Sequence, residues 1–291
     1  MKRVLLGGLC LLAVVLPASA QSDAHKKATL AYLQKLQSDD GGFRANAAAK
    51  ESDLPATTSA FRALRYFGGA PRDKDACAAF VRKCFDKERG GFATRPGGKA
   101  AYRPTAVGIM AVVDLKMPIE PYAEAVIKYL DANSKTFEEV RLTAASFEAL
   151  GKPAPSAEAW LKQIAKMRHT DGTYGEGGGA ARDTGGAVCA VLRLGGTVEQ
   201  RENVLKALNA GQRKDGGFGQ AGVEGSDLAT TYRVMRAFHM LRTQPQGAGR
   251  LRDFIARCRN DDGGYGVAPG QPSNVSGCYY AGIILHWLDE K

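Results

Sequence analysis

Apolar residues along this chain recur at the spacing of amphipathic helices, and no stretch alternates as a half-buried strand does. In residues 28–36, for example, Leu30, Leu33 and Leu36 fall on one helical face. Other segments are more apolar and rich in small residues, namely 57–67, 105–115, 186–194, 230–241 and 277–288. Because the two kinds of segment alternate, the pattern predicts an all-α protein with polar outer helices around an apolar inner layer.

A four-residue turn motif recurs between these segments. Residues 40–43, 215–218 and 262–265 read Asp-Gly-Gly followed by Phe or Tyr, and 89–92 and 171–174 are looser copies. The copies lie roughly 45 residues apart, and one interval of about two periods holds a degenerate copy near Thr136 and Phe137. Asp suits the first position of a turn and Gly supplies positive φ, so each copy is expected to join two helices. The spacing predicts six helical-hairpin repeats.

The first twenty residues have the layout of a secretory leader. Lys2 and Arg3 precede an apolar run over 4–16, and residues 17–20 end in an Ala-x-Ala pattern. A membrane anchor and a lipoprotein are the alternatives, but the run is shorter than the ~20 residues of a spanning helix, and Cys10 lies inside it. We predict cleavage after Ala20, a secreted or periplasmic protein, and no membrane span in residues 21–291.

The distribution of charge and the number of cysteines limit the binding sites and disulfides that the sequence allows. The chain carries 40 Lys and Arg against 30 Asp and Glu, but the basic residues are scattered, which favours a solvated surface over a nucleic-acid site. Five cysteines follow the leader, and an odd count leaves at least one thiol free. Cys77 and Cys84 are about 10 Å apart on a helix, too far to pair. Cys258 and Cys278 can pair between helices, although five buried thiols are the simpler interpretation.

Alternating helices alone are compatible with an open solenoid as well as a closed ring. The Asp-Gly-Gly-aromatic turn at this period resembles the prenyltransferase and squalene-oxidase repeat, from about His25 to Trp287. That family forms closed toroids in protein prenyltransferase β subunits and in squalene-hopene-type terpene cyclases. The resemblance implies that residues 21–291 form one α/α toroid, an α6/α6 barrel of six hairpins around a central cavity.

The family's catalytic residues are only partly present. Protein prenyltransferases hold zinc with an Asp and a Cys two residues apart and a His one repeat later. Here Asp227 is followed by Ala229 at the Cys position, and Ser276 stands at the His position. One ligand in three does not hold this type of zinc, so we predict no metal, no cofactor and no zinc-dependent prenyl transfer. The Asp-x-Asp-Asp acid motif of the cyclases is also missing from the sequence.

The resemblance places the starts of the inner helices around one mouth of the cavity, where their N–H groups attract anions. The candidate residues for this mouth and the cavity are Asp53, Tyr102, Arg103, Tyr232, Asn274, Ser276 and Tyr279. Asp183 and Asp227 are the candidate catalytic acid and base for hydrolysis or lyase chemistry on a sugar. The simpler alternative is that Asp53, Asp183 and Asp227 are helix N-caps, and that the tyrosines are core residues.

We therefore predict an exported, prenyltransferase-β-subunit-like toroid that binds an isoprenoid-type or other apolar ligand in its cavity. Two alternatives stay open. One is a secreted scaffold that binds a protein partner, and the other is an active enzyme that uses the acidic residues of the mouth. If the protein is an enzyme, the resemblance implies a prenyltransferase-like transferase. The residues identify neither the ligand, nor the partner, nor the oligomeric state.

Overall fold

The structure is a computed structural model that describes residues 22–290, so the predicted leader lies outside the described residues. This part of the chain contains twelve α-helices and a short 3₁₀ turn at Gly177–Gly179. The helices are α1 (Asp23–Lys35), α2 (Leu54–Tyr66), α3 (Lys74–Lys83), α4 (Tyr102–Asp114), α5 (Glu120–Asn133), α6 (Phe137–Leu150), α7 (Ala157–Ala165), α8 (Ala180–Arg193), α9 (Arg201–Ala210), α10 (Leu228–Met240), α11 (Ala248–Arg257) and α12 (Val275–Asp289).

The even-numbered helices form a closed inner ring. Each packs against the next, from α2 through α4, α6, α8 and α10 to α12, and α12 packs against α2. The odd-numbered helices form the outer layer. The core lies between the two layers, and its largest fully buried side chains include Phe80, Phe147 and Phe238. The contact between α12 and α2 confirms the predicted α/α toroid of six hairpins and excludes an open solenoid.

The Asp-Gly-Gly turns follow the chemistry expected from their sequence. Asp40 Oδ1 accepts a hydrogen bond from the Gly42 N–H at 2.9 Å, and Asp215 and Asp262 bind the equivalent glycines. Gly41 has φ of 87°, and a Cβ at this position would lie 2.2 Å from the Ala76 carbonyl oxygen. Glycine is therefore required there for its conformation and for the close approach of α3.

A second hydrogen bond ties each aromatic residue of the motif to the inner helix of its repeat. The aromatic N–H donates to a threonine hydroxyl in the pairs Phe43–Thr57 (2.9 Å), Phe92–Thr105 (2.9 Å), Tyr174–Thr184 (3.0 Å) and Phe218–Thr231 (3.1 Å). In the sixth repeat the acceptor is the Cys278 sulfur, 3.3 Å from the Tyr265 nitrogen. This bond, hereafter the turn brace, fixes the turn to the start of the inner helix.

The turns also contain short strands that the sequence pattern did not predict. Strand β1 (Phe43–Arg44) pairs with β2 (Ser52–Asp53), and β3 (Phe85–Asp86) pairs with β4 (Gly91–Phe92), both antiparallel. Strands of two residues are too short to show an alternating pattern, so the sequence does not reveal them. The third repeat has no Asp-Gly-Gly string, and α6 instead begins with a capping box formed by Thr136 and Glu139.

All five cysteines of the described chain are buried free thiols. Cys258 and Cys278, which the sequence allowed to pair, are therefore separate, and Cys278 serves in the turn brace. No helix within residues 22–290 has the length and apolar character needed to span a membrane.

Candidate functional site

The inner ring encloses a cavity of about 530 Å³. Its wall combines arginine, tyrosine and glutamate side chains with a few aliphatic ones. The lining residues are Thr58, Ser59, Arg62, Arg65, Tyr66, Tyr102, Arg103, Val107, Met110, Glu138, Glu139, Arg141, Leu142, Ala145, Glu148, Ala149, Arg193, Tyr232, Arg236, Tyr279 and Tyr280. The cavity is therefore amphipathic and rich in cations, rather than purely apolar.

Neighbouring inner helices run in the same direction, so residues at similar positions in their helices form layers across the cavity. At the helix starts, Tyr102 of α4 donates a hydrogen bond to the Glu139 carbonyl oxygen of α6. At the helix ends, Arg193 of α8 pairs with Glu148 of α6 at 2.8 Å. We call these two levels the start layer and the end layer.

The ion pairs of the start layer centre on Glu138, and the layer also contains Arg103 and Glu139. Glu138 Oε1 accepts a hydrogen bond from Arg233 Nη2 at 2.6 Å, and Glu138 Oε2 lies 3.0 Å from Arg141 Nη2. Burial alone would raise the pKa of Glu138, but the hydrogen bond from Arg233 and the charge of Arg141 together lower it. Glu138 is thus a carboxylate already held between two cations.

The end layer holds an excess of positive charge. It contains Arg62, Arg65, Arg193 and Arg236. Asp114 binds both Arg62 and Arg65, the latter at 2.8 Å, and Glu148 binds Arg193. Four arginines against two carboxylates leave a formal excess of two positive charges.

Arg236 differs from the other arginines of this layer because its polar partner is a phenol. Its Nη2 lies 3.1 Å from the Tyr232 hydroxyl oxygen, and its guanidinium lies over the Trp287 ring at 4.4 Å. Within the described part of the chain Arg236 forms no ion pair with a carboxylate, and its buried Nε has no hydrogen-bond partner. The Tyr232 hydroxyl also lies 3.4 Å from that of Tyr279.

The two tyrosines respond to this environment in opposite directions. Burial disfavours the phenolate of Tyr232, but the nearby charges of Arg236 and Arg193 outweigh burial and lower its pKa. For Tyr279, burial and the proximity of Tyr232 raise the pKa. The pair therefore gives up its first proton more readily than an ordinary phenol and its second less readily.

The structure divides the residues singled out from the sequence into two groups. Tyr102, Arg103, Tyr232 and Tyr279 line the cavity. Asp53, Asp227 and Asn274 lie outside the lining and are N-caps, accepting hydrogen bonds from the N–H groups of Ala56 (2.7 Å), Thr230 (2.7 Å) and Gly277 (2.8 Å). Ser276 lies half-buried in the first turn of α12, also outside the lining.

Asp183 is not an N-cap, contrary to the sequence-based alternative. The 3₁₀ turn at Gly177–Gly179 lets α8 begin at Ala180, which places Asp183 inside the first helical turn, 3.1 Å from Arg182. Neither Asp183 nor Asp227 lines the central cavity, and a catalytic role for either stays a prediction.

The sequence reasoning found Arg103 but missed the other cations of the cavity wall. It considered only the helix starts, whereas Arg62, Arg193 and Arg236 lie near the ends of inner helices. The available signal was a set of arginines within otherwise apolar segments. Such residues need either a buried partner or a cavity to face.

The positions of the family's zinc ligands do not fit a metal. Asp227 uses both carboxylate oxygens on Thr230, at 2.7 and 2.8 Å, and Ala229 and Ser276 stand at the other two positions. Within residues 22–290 no group of three His, Cys, Asp or Glu side chains is arranged around a common metal position.

Comparison with known proteins agrees with this architecture. The profile of the prenyltransferase alpha-alpha toroid domain matches residues 5–140 and 122–290. Drimenyl diphosphate synthase of Streptomyces showdoensis is 30% identical over 151 residues, which are 47% of this chain and 28% of that enzyme. The match therefore spans less than a third of the curated relative.

Solved structures share the fold at low sequence identity. The type II terpene cyclase MstE from Scytonema, in complex with its substrate geranylgeranyl dihydroxybenzoate, has a TM-score of 0.63 and 8% identity, and the alignment covers 91% of this chain and 95% of that one. A glycosidase in complex with glucose has a TM-score of 0.60 and 13% identity, with 91% and 96% covered. At these identities the similarity shows the fold and nothing finer.

Proposed function

Because the chain belongs to the prenyltransferase alpha-alpha toroid family, we propose that it is an exported toroid that binds an isoprenoid-type ligand with an anionic head in its central cavity. The observation that carries this proposal is the excess of positive charge in the end layer. Two of the four arginines of the end layer are in excess over its carboxylates, whereas aliphatic and aromatic side chains line the wall between the layers. An amphiphile with a negative head matches both features.

The cavity volume supports a ligand of this size. About 530 Å³ lies within the range of roughly 300–1,000 Å³ found for small-molecule sites. Val107, Met110 and Leu142 provide the aliphatic part of the wall, and five tyrosines provide the aromatic part. The related enzyme from Streptomyces showdoensis is named for a diphosphate, which makes a diphosphate the first head group to test.

The proposal includes the loss of the family's zinc chemistry. Asp227 is engaged as a helix cap, and Ala229 and Ser276 lack the thiolate and imidazole that the zinc site needs. It also includes export, which depends on the leader pattern of residues 1–20.

The test is calorimetric titration with farnesyl and geranylgeranyl diphosphate, beside the matching alcohols and inorganic diphosphate. We expect the diphosphate esters to bind at least tenfold more tightly than either the alcohols or inorganic diphosphate, since only the esters use both regions of the cavity. Binding of the alcohols alone would contradict the role of the end layer. If no compound binds, the isoprenoid proposal is wrong, and a partner-binding scaffold becomes the better hypothesis.

A substitution in the end layer tests whether this layer binds the head group. Arg65→Gln removes one positive charge, and Asp114 still keeps Arg62 as its partner. We expect weaker binding of the esters, less dependent on salt than in the wild type. Lys162→Gln on the outer helix α7 is the matched control, because it also removes one charge from a salt bridge but lies away from the cavity. Equal effects of the two substitutions would contradict a head-group role for the end layer.

A further inference from the structure

The cavity wall contains the half-buried side chain of Arg236, whose Nε is buried without a hydrogen-bond partner. The Arg236 guanidinium lies over the rings of Trp287 and Tyr232, at 4.4 and 5.4 Å, and has no carboxylate partner within the described residues. A cation in such surroundings is costly unless a negative charge or several hydrogen bonds compensate it. The side chain that contacts Arg236 most directly is Tyr232.

The direction of this hydrogen bond fixes the phenolic proton of Tyr232. A guanidinium has only donors, so Arg236 Nη2 donates and the Tyr232 oxygen accepts at 3.1 Å. The Tyr232 O–H must therefore point elsewhere. The available directions are Tyr279 Oη at 3.4 Å and the cavity that Tyr232 lines. The proton is thus placed where a ligand or solvent in the cavity can take it.

The other groups that face Tyr232 favour loss of this proton. The charged or titratable side chains around it are Arg236 from its own helix, Arg193 from α8, Tyr279 and Tyr280 from α12, and Arg62 from α2. Three of these are cations, and the carboxylates of this layer are already bound to Arg62, Arg65 and Arg193. A phenolate at this position would supply the negative charge that Arg236 lacks.

We propose that Tyr232 and Arg236 form the acid–base pair of the central cavity, in which Tyr232 gives up its proton as the counter-ion of Arg236 and takes a proton back when an anion occupies the end layer. When Tyr232 gives up its proton, its O–H bond breaks, the proton passes to a base or water in the cavity, and the electron pair stays on Tyr232 Oη. The reverse step protonates Tyr232 while the bound anion neutralises Arg236. The second half of this cycle rests on the proposed function.

An ultraviolet titration of tyrosinate in the ligand-free protein tests the pair directly. We expect one tyrosine to ionise at least tenfold more readily than an ordinary phenol, whose pKa is about 10. Tyr232→Phe should abolish this early step, and Arg236→Gln should move it to higher pH. Tyr129→Phe, on the outer helix α5, is the matched control and should leave the early step unchanged. Loss of the step in Tyr279→Phe together with its retention in Tyr232→Phe would overturn the assignment.

Two further measurements distinguish a failure of the acid–base pair from a failure of the proposed ligand. Carbon NMR of ring-labelled tyrosine in the wild-type protein reports the same ionisation should Tyr232→Phe fail to fold, and a spectrum with no early-titrating ring would overturn the proposal. Titration in the presence of farnesyl diphosphate should shift the early step to higher pH and show proton uptake on binding. A ligand-free early step that farnesyl diphosphate leaves unchanged would support the acid–base pair and contradict the proposed ligand.

Discussion

The turn brace gives the most sharply defined stability prediction, and Thr105→Val is the substitution that tests it. Thr105 is fully buried; its hydroxyl accepts from the Phe92 N–H at 2.9 Å and donates to the Ala101 carbonyl oxygen at 2.7 Å. Valine has nearly the same shape, so no cavity is created. The Phe92 N–H is then left buried without its acceptor, which costs about 1–3 kcal/mol of the free energy of unfolding.

Urea denaturation measures this loss. We expect a lower midpoint with an unchanged slope, because the substitution alters neither the fold nor the surface exposed on unfolding. In thermal melts the same loss should lower Tm by roughly 2–12 °C in a domain of this size. Thr197→Val is the matched control, since Thr197 is exposed and lies outside the braces. A Thr105→Val variant as stable as Thr197→Val would refute the structural role of the brace.

Three other predictions follow from the same structure. Asp227→Ala should lower the free energy of unfolding by about 0.5–2 kcal/mol, because it removes the cap of α10. Asp183→Asn should lower it by less than about 1 kcal/mol. Neither substitution should change ligand affinity in calorimetry. Cys278→Thr should keep or raise the urea midpoint, because a hydroxyl is a better acceptor than sulfur for the Tyr265 N–H. Because burial raises the pKa of four of the five described thiols to about 12, a disulfide reagent at neutral pH should label the cysteines only as the protein unfolds. Rapid labelling of the native protein, a lower midpoint for Cys278→Thr, or lost affinity in Asp227→Ala would each contradict the corresponding prediction.

The repeat made the fold predictable from the sequence. Asp40, Gly41 and their equivalents are required by local backbone geometry, so the turn recurs visibly wherever that geometry recurs. The third repeat lacks the Asp-Gly-Gly motif, and the capping box of Thr136 begins α6 instead. The start of α8 was misjudged because this helix follows a 3₁₀ turn and has no side-chain cap, whereas Asp53 and Asp227 cap α2 and α10.

The site was less predictable because its geometry depends on contacts between different repeats, whose residues lie far apart in the sequence. Arg62 of α2 binds Asp114 of the neighbouring inner helix α4, and Arg233 of α10 binds Glu138 of α6, which lies beyond α8 in the ring. No local sequence pattern predicts such ion pairs. Tyr232 and Tyr279 could be assigned to inner helices from periodicity, but their contact with each other joins α10 to α12 and appears only in the folded ring. The contact of Tyr232 with Arg236 is local, since the two residues lie four apart on α10.

The distribution of caps and cations also decides which end of the cavity suits an anion. Free N–H groups at the helix starts would attract a negative head group, but Asp53, Asp227 and Asn274 already occupy several of them with their own oxygens. At the opposite end, Arg65 and Arg193 lie in the last helical turns, where the helix dipole stabilises a cation even in the absence of ligand. The helix dipoles therefore offset part of the cost of gathering positive charge in the end layer, whereas Arg236 still lacks a carboxylate partner within the described residues. We accordingly expect a bound amphiphile to lie with its anionic head beside Arg236 and its apolar tail towards the start layer.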